Sequence, residues 1–246
     1  MTAVLVIAGT DSSGGAGLSR DVATLAHFGV EALPAVTAVT AQTDREVAAV
    51  ELLPPELVQA QIAAALATRR AGAVKIGMLG SRAIVAAVAA AIPPRELVPL
   101  VLDPVLAATS GGALLDAAGC AALGALLLPR TTLLTPNIAE AAALLGVAPA
   151  ASAAQIIEQG RALCLRGAAA VLMKGGHASG ALATDWLVAA DGAVHELTAP
   201  RLQAVRRGTG CALASAIAAG LAARLPLAAA CQRAKAHVTG LLRQSA

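Results

Sequence analysis

Aromatic residues are almost absent from this sequence of 246 residues, which has one Phe, one Trp and no Tyr. Its Lys and Arg residues are scattered without basic blocks, and the formal net charge is only +3. A surface that binds nucleic acid usually concentrates basic side chains and often adds aromatic rings on which bases stack. The composition therefore predicts a protein without a nucleic-acid partner.

Cysteine is also sparse, and no two of the four cysteines have the C-x-x-C spacing. Zinc sites normally use closely spaced cysteines, and disulfide scaffolds belong to much shorter chains. Neither is predicted here. We expect three of the cysteines to be small buried core residues, namely Cys120, Cys164 and Cys231.

Long apolar runs are lacking as well. The longest uncharged stretches, such as residues 208–223, are interrupted by Gly, Thr or Ser and fall short of the roughly 20 residues that span a bilayer. The chain also passes from Met1 to the strand-like run Val4–Ala8 without a basic leader. These features predict no membrane partner and a cytoplasmic location, while 57% apolar residues can supply a large core.

Short runs rich in β-branched residues alternate with alanine-rich amphipathic segments. Six of these runs predict buried strands: Val4–Ala8, Ala35–Thr40, Ala73–Ile76, Val98–Leu102, Thr131–Leu134 and Ala169–Met173. Strands that alternate with helices require crossover connections, which favour a mostly parallel sheet covered on both faces. The predicted fold class is therefore α/β, a three-layer α/β/α sandwich.

The pattern changes between Asp185 and Pro200, where Asp191-Gly192 separates two apolar runs. This is the pattern of a β-hairpin, and it predicts an antiparallel edge to the sheet. Two alanine-rich helices are predicted beyond it, over Cys211–Ala223 and Leu227–Leu242. Because no linker or repeat divides the chain, we predict one domain over residues 1–246.

Two glycine-rich segments could approach a ligand closely. The first, AGTDSSGGAG at residues 8–17, follows the first strand but matches neither the dinucleotide fingerprint nor the Walker loop. It fits a binding loop or an ordinary turn. The second, Gly208-Thr209-Gly210-Cys211, opens a helix, and backbone N–H groups at such a position bind phosphate oxygens.

Cys211 lies in the first turn of that helix, where the helix dipole is expected to lower the pKa of its thiol and make it a better base or nucleophile. The alternative is a small buried cysteine beside a glycine-rich turn.

Polar residues also follow three predicted strands. Asn137 and Glu140 lie one helical turn apart, so they could hold Mg²⁺ through its waters or form a helix cap and its capping-box partner. Lys174 could neutralise nucleotide phosphates or simply be solvated. Asp103 could help to position Mg²⁺ or cap a turn.

Seven segments, taken in order, resemble the hydroxymethylpyrimidine/phosphomethylpyrimidine kinases of the ribokinase-like superfamily: AGTDSSGGAG, VTAVTAQ, KIGML, VLDPV, TPNIAEAAALLG, VLMKGGH and RGTGCALASAIA. The joint match runs from about Val4 to Ala219. It implies a ribokinase-like fold and a kinase of thiamine biosynthesis with ATP and Mg²⁺ as cofactors. The implied substrate is 4-amino-5-hydroxymethyl-2-methylpyrimidine, its monophosphate, or both.

The same resemblance implies a role for each matching residue. Residues that would contact the aminopyrimidine are Gly9, Asp21, Gln42 and Met78. Residues that would bind ATP are Asn137, Lys174 and Thr209. Residues that would order Mg²⁺ are Asp103, Asn137 and Glu140. Residues that would act on the transferring phosphoryl group are Gly208, Thr209, Gly210 and Lys174, while Cys211 would accept the substrate hydroxyl proton.

The chain departs from the family pattern in four places. Residues 43–47 replace the usual sequence of a substrate-covering flap, Arg207 stands where His is common, and Thr109 stands where Lys is common. The usual C-terminal stretch rich in Gly and His is missing. Two alternatives therefore stay open: a pyridoxal-type vitamin kinase, and a binding or regulatory homologue without catalysis. Since the superfamily often dimerises, a homodimer is a further expectation.

Overall fold

The computed structural model describes residues 2–107, 112–175, 180–204 and 206–244. The strands are β1 Ala3–Ala8, β2 Glu31–Val36, β3 Ala38–Gln42, β4 Val47–Leu52, β5 Ala73–Ile76, β6 Leu100–Leu102, β7 Leu133–Leu134, β8 Ala170–Met173, β9 Leu182–Ala189 and β10 Val194–Pro200. The helices are α1 Gly17–His27, α2 Pro55–Thr68, α3 Arg82–Ala91, α4 Ala117–Ala122, α5 Ile138–Leu145, α6 Ala153–Leu165, α7 Thr209–Ala222 and α8 Leu227–Arg243. Thr109 lies outside the described residues, as do Gly176 and His177 of the Lys-Gly-Gly-His segment.

Eight strands form one sheet in the order β10-β9-β8-β7-β6-β5-β1-β2. Six neighbouring strands of this sheet, β8, β7, β6, β5, β1 and β2, are parallel to one another. β9 pairs antiparallel with both β8 and β10. The predicted hairpin around Asp191-Gly192 is the β9–β10 pair. The mostly parallel sheet with an antiparallel edge is thus confirmed.

Alternate residues of the strands face opposite helical layers, as the two-residue period of a strand requires. On one face, Leu5 and Ile7 of β1 belong to a core that also contains Ile62 of α2 and Val85 of α3. On the other face, Val4 and Val6 pack in a separate core with residues of α1, α7 and α8, such as Leu25, Ile217 and Ala234. Helices on both faces confirm the three-layer α/β/α sandwich.

The prediction of one strand over Ala35–Thr40 is wrong, because the chain leaves the main sheet at Thr37. β2 ends at Val36, and β3 pairs antiparallel with β4 in a separate two-stranded sheet. Thr37 is fully buried, and its hydroxyl donates to the Met78 carbonyl oxygen over 2.6 Å. This long-range bond anchors the chain at the point where it leaves the main sheet. We call residues 38–52 the flap hairpin.

Two of the cysteine predictions are also wrong. Cys231 is buried in the α8 layer, but Cys120 and Cys164 are half-buried. Both lie at the margin of the core, on α4 and α6, where they pack against it without being enclosed. Within the described ranges, no helix combines the length and apolar character that crossing a membrane requires.

Candidate active site

The parallel topology brings the predicted polar residues to one edge of the sheet. Asp103 directly follows β6, Asn137 follows β7, and Lys174 follows β8, with an isolated parallel bridge between Asn137 and Lys174. The first turn of α7 closes this edge. A Cβ atom built on Gly210 would lie 3.4 Å from Lys174 Nζ and 3.6 Å from Asp103 Oδ2. The carboxyl ends of parallel strands are where open α/β sheets bind ligands.

Lys174 lies between two carboxylates. Its Nζ atom is 3.0 Å from Asp103 Oδ1 and 3.8 Å from Glu140 Oε2. Burial alone would lower the pKa of Lys174, but Asp103 and Glu140 raise it well above its ordinary value. The ammonium group therefore stays charged at neutral pH, so it can meet phosphate oxygens. Thr135 holds the Asp103 carboxylate in place by donating its hydroxyl to Asp103 Oδ1 over 3.2 Å.

Asn137 and Glu140 form the capping box that was one of the two alternatives. Asn137 Oδ1 accepts the Glu140 N–H over 2.8 Å, and Glu140 Oε2 accepts the Asn137 N–H over 2.7 Å. The capping role does not remove Glu140 from the site, since its Oε2 atom is also the one that approaches Lys174. Burial raises the pKa of Glu140, and the charge of Lys174 partly opposes this rise.

The carboxylates at this edge of the sheet fit a Mg²⁺ ion that keeps its waters and is also bound to phosphate. Among the described residues, no group of three or more His, Cys, Asp or Glu side chains could hold a metal ion. Asp103 and Glu140 nevertheless offer carboxylate oxygens on either side of Lys174. Mg²⁺ commonly binds to one or two carboxylates together with waters and substrate phosphates. The oxygen donors here suit such a hydrated, phosphate-bound ion rather than an ion enclosed by protein ligands.

The loop before α7 is suited to bind an anion. Gly208 has φ 72°, and a Cβ atom on it would overlap the Gly15 carbonyl oxygen, so glycine is needed for both conformation and space. The two glycine-rich segments are thereby packed together. No described side chain caps α7, whose first residue is Thr209, and its first N–H groups are available to a phosphate.

Cys211 is half-buried in the first turn of α7. Burial raises the pKa of its thiol to about 11, and the carboxylates of Asp21 and Asp103 add to this rise, while Lys75 opposes it. The net shift is therefore opposite in direction to the one expected from the helix dipole. Removal from water raises the pKa, because desolvation penalises the charged thiolate.

Three of the four residues predicted to contact the pyrimidine lie near the glycine-rich segment. A Cβ atom on Gly9 would approach Met78 Sδ to 2.9 Å, so the two residues are in direct contact. Gln42 ends β3, and Ser12 ties it to the segment: the Gln42 N–H donates to Ser12 Oγ over 2.9 Å, and Ser12 Oγ donates to the Gln42 carbonyl oxygen over 3.0 Å.

The structure does not bring Asp21 to the same surface. Asp21 is fully buried under α7, where it pairs with Lys75 Nζ at 2.7 Å and accepts the Ser215 hydroxyl over 2.8 Å. Burial would lower the pKa of Lys75, but the Asp21 carboxylate raises it above its ordinary value. Sequence reasoning missed Lys75. The available signal was a lysine inside the otherwise apolar strand Ala73–Ile76.

Asp11 and the contacts of Arg207 were missed as well. Asp11 is buried in the glycine-rich segment, where its Oδ2 atom lies 3.1 Å from Arg207 Nη2. Arg207 was noted only as a departure from a family pattern. Its partners lie far away in the sequence, and local spacing carries no signal for them.

A cavity of about 760 Å³ opens beside the ends of β7 and β8. Asn137, Gly175 and Trp186 contribute to its lining, but Cys211 and the loop at Gly208 do not. The cavity therefore adjoins Asn137, one of the residues predicted to bind ATP, and none of the residues predicted to contact the pyrimidine lines it.

Solved structures with the same fold define the class of protein. The ADP complex of Bacillus subtilis pyridoxal kinase has a TM-score of 0.88 and 28% identity, over 97% of this chain and 90% of that chain. Phosphomethylpyrimidine kinase from Clostridium difficile 630 has a TM-score of 0.85 and 32% identity, over 98% of this chain and 99% of that chain. The fold is thus that of a ribokinase-like kinase.

Sequence comparison then identifies the family. The family model described as phosphomethylpyrimidine kinase matches residues 11–246. The hydroxymethylpyrimidine/phosphomethylpyrimidine kinase of Rhizobium meliloti (strain 1021) is 45% identical over 240 residues, which is 97% of this chain and 90% of that relative. The chain belongs to the phosphomethylpyrimidine kinase family.

Proposed function

We propose that this protein is a kinase of thiamine biosynthesis that transfers the γ-phosphoryl group of ATP to 4-amino-5-hydroxymethyl-2-methylpyrimidine, to its monophosphate, or to both. The observation that carries the proposal is the meeting of the uncapped first turn of α7 with Lys174 and two carboxylates at one edge of the sheet. Phosphoryl transfer depends mainly on positioning and on charge stabilisation, and this cluster supplies both.

Each part of the cluster has a distinct role in this proposal. The N–H groups at Gly208, Thr209 and Gly210 hold the oxygens of the transferring phosphoryl group at the positive end of α7. Lys174 neutralises part of the charge of ATP. Asp103, Asn137 and Glu140 would hold a hydrated Mg²⁺ ion, which supplies further charge neutralisation when it is bound to the phosphates.

The proton of the substrate hydroxyl goes to Cys211 in this proposal. Only the thiolate can accept it, and a pKa of about 11 leaves a small thiolate fraction at neutral pH. If the thiolate takes the proton in the transition state, as the new bond from the hydroxyl oxygen to phosphorus forms and the bond to ADP breaks, it acts as a general base. The rate of the chemical step should then follow its thiolate fraction.

The pyrimidine would lie beside Gly9 and Met78, with the Gln42 amide hydrogen-bonding its polar edge. Gly9 contacts Met78 and lies close to Ala38 at the base of the flap hairpin, while Ser12 ties Gln42, near its tip, to the glycine-rich segment, which supports the assignment. Asp21 is assigned an indirect role, because its carboxylate is enclosed with Lys75 and Ser215.

The second candidate is a pyridoxal-type kinase, which the similarity to Bacillus subtilis pyridoxal kinase favours. The test is an ATP-consumption assay on the aminopyrimidine alcohol, its monophosphate, pyridoxal and pyridoxine, with kcat/KM measured for each. We expect the highest kcat/KM on a pyrimidine. A higher value on a pyridine alcohol would establish the second candidate, and nucleotide binding without turnover on any of them would indicate a non-catalytic homologue.

We further propose one kinase domain over residues 1–246, which the continuous sheet from β2 to β10 supports. A homodimer, a cytoplasmic location, and the absence of membrane and nucleic-acid partners stay predictions from the sequence.

A further inference from the structure

Arg207 contacts two segments that are far from it in the sequence. In the glycine-rich segment, its Nη2 atom is 3.1 Å from Asp11 Oδ2, and its Nη1 atom donates to Ser13 Oγ over 3.0 Å. In the flap hairpin, Nη1 donates to the Thr43 carbonyl oxygen over 2.7 Å and lies 3.1 Å from Asp44 Oδ1. Its own backbone leads directly into Gly208, so one side chain joins three segments of the site.

These contacts differ in strength. The Arg207 side chain is 11% exposed and that of Asp11 is 2% exposed, so this ion pair is largely shielded from water. The Asp44 side chain is 84% exposed, and its ion pair is therefore screened and weak. The strong contacts are those with Asp11 and with the Thr43 carbonyl oxygen. Among the described residues, Arg207 is the cation that forms an ion pair with Asp11.

Asp11 organises the glycine-rich segment around this pair. Its Oδ1 atom accepts the Ser13 N–H over 2.9 Å, and its Oδ2 atom accepts the Ala16 N–H over 2.8 Å. The loop that precedes α1 thus folds around one carboxylate, which Arg207 neutralises. On the other side, Thr43 directly follows Gln42, so the bond to its carbonyl oxygen fixes the chain next to the predicted pyrimidine-binding amide.

We propose that Arg207 is a positioning residue that fastens the flap hairpin and the glycine-rich segment to the phosphate-binding turn at Gly208. Through these contacts it holds Gln42 in place relative to the first turn of α7. A guanidinium group has several donors in one plane, so it can serve Asp11 and Thr43 at the same time. The effect on substrate binding rests on the proposed kinase function, whereas the fastening itself does not.

The fastening can be tested without catalysis by hydrogen–deuterium exchange of the free protein. In Arg207→Gln, peptides that cover residues 11–17 and 38–47 should exchange about tenfold faster or more, because hydrogen bonds to a charged group are lost. Arg166→Gln is the matched control. Arg166 also donates to two backbone carbonyl oxygens, but they belong to Leu144 and Leu145 at the end of α5. Among the described residues, its side-chain hydrogen bonds therefore do not reach the flap hairpin or the glycine-rich segment.

Arg207→Lys covers the case in which Arg207→Gln does not fold. Lysine keeps the charge beside Asp11 but has a single ammonium group, so exchange in 38–47 should rise more than exchange in 11–17. Asp44→Asn should change exchange little, since Asp44 is exposed. Exchange in both regions equal to wild type in Arg207→Gln or Arg207→Lys would overturn the fastening role.

Steady-state kinetics then test whether Arg207 positions the groups that bind the pyrimidine. In Arg207→Lys, KM for the pyrimidine should rise about tenfold or more while KM for ATP stays within about twofold, and Arg166→Gln should change neither. A merely structural role would reduce the active fraction and leave KM for the pyrimidine unchanged. That result, together with faster exchange, would overturn the positioning role. A wild-type protein without turnover would overturn the proposed function instead, and the exchange experiment would still decide the fastening.

Discussion

At the scale of single residues, Cys211 has a pKa shift opposite in direction to the one that its place in a helix predicts. Its place in the first turn of α7 predicts a thiolate, yet enclosure beside Asp21 and Asp103 raises the pKa of the thiol to about 11. The helix dipole can be read from sequence, because it depends on neighbouring residues. The desolvation and the two carboxylates depend on contacts with α1 and with the end of β6, which no local pattern encodes.

This pKa makes the pH dependence of alkylation a direct test. Because the thiolate is the reactive form, the rate at which iodoacetamide modifies Cys211 should rise about tenfold per pH unit between pH 7 and 10. Mass spectrometry of the peptide that contains Cys211 measures this rate. A rate that is level above pH 7 would show that the thiol is already ionised.

Catalysis by the same residue gives a second prediction. Cys211→Ala should fold and bind ATP but lower kcat by about 10²–10⁴-fold, the range expected for loss of a general base. Cys120→Ala is the control, because Cys120 lies on α4 outside the site. If Cys211→Ala keeps more than about a tenth of the wild-type kcat, the hydroxyl proton must leave by another route.

The Lys75–Asp21 pair makes a prediction about stability. Lys75→Met leaves the buried Asp21 carboxylate without its cation and should cost about 3–5 kcal/mol of unfolding free energy. Since Asp21 raises the pKa of Lys75 above the ordinary value of 10.5, the contribution of Lys75 is fully present below that pH and is lost as the pH rises through the folded-state pKa. Burial raises the pKa of Asp21, so on the acid side the pair is lost as that carboxyl group becomes protonated.

Urea unfolding at pH 7 measures this cost. The double variant Lys75→Met with Asp21→Asn should recover part of the loss, because it removes the unpaired buried charge. A single variant as stable as wild type would show that the pair adds nothing to stability.

At the scale of elements, sequence pattern performed best where glycines bound a short, mostly apolar run. Ala73–Ile76 lies between Gly72 and Gly77 and was predicted with its observed ends. Asp103 and Lys174 were each predicted to follow a strand, and they meet because parallel strands share a carboxyl edge. The fused strand over Ala35–Thr40 failed for a different reason. Its local pattern is continuous, whereas the break between β2 and β3 at Thr37 is fixed by bonds to distant residues, such as the one to the Met78 carbonyl oxygen.

The start of α5 allows its capping role to be separated from its proposed role in catalysis. Glu140→Gln keeps an amide oxygen that can still accept the Asn137 N–H, so the unfolding free energy should fall by no more than about 1 kcal/mol. The charge beside Lys174 is lost, however, and kcat at limiting Mg²⁺ should fall about tenfold or more. Wild-type kcat at limiting Mg²⁺ would remove Glu140 from the proposed metal site.

At the scale of the whole molecule, the two halves of the site come from opposite ends of the chain. The glycine-rich segment precedes α1, the proposed phosphate-binding turn precedes α7, and the packing of Gly208 against the Gly15 carbonyl oxygen brings them together. Sequence motifs predicted each half separately. Their contact is a property of the sheet order, in which β1 lies between β5 and β2 and α7 packs across the face of the sheet.

Ligand binding should therefore stabilise the molecule as one unit, and Mg²⁺ should control how much ATP contributes. In the proposed site, the phosphates of metal-free ATP would face Asp103 and Glu140, whose negative charge only Lys174 offsets among the described residues of this cluster. A ligand present at 100 times its Kd stabilises the native state by about 2.7 kcal/mol. We expect Mg²⁺ with ATP to raise Tm by several degrees, and ATP with EDTA to raise it by much less.

Differential scanning calorimetry measures both shifts in Tm. In the matched variant Glu140→Gln, the difference between the two shifts should be smaller than in the wild-type protein. Equal shifts with and without Mg²⁺ in the wild-type protein would show that ATP binding does not use the metal.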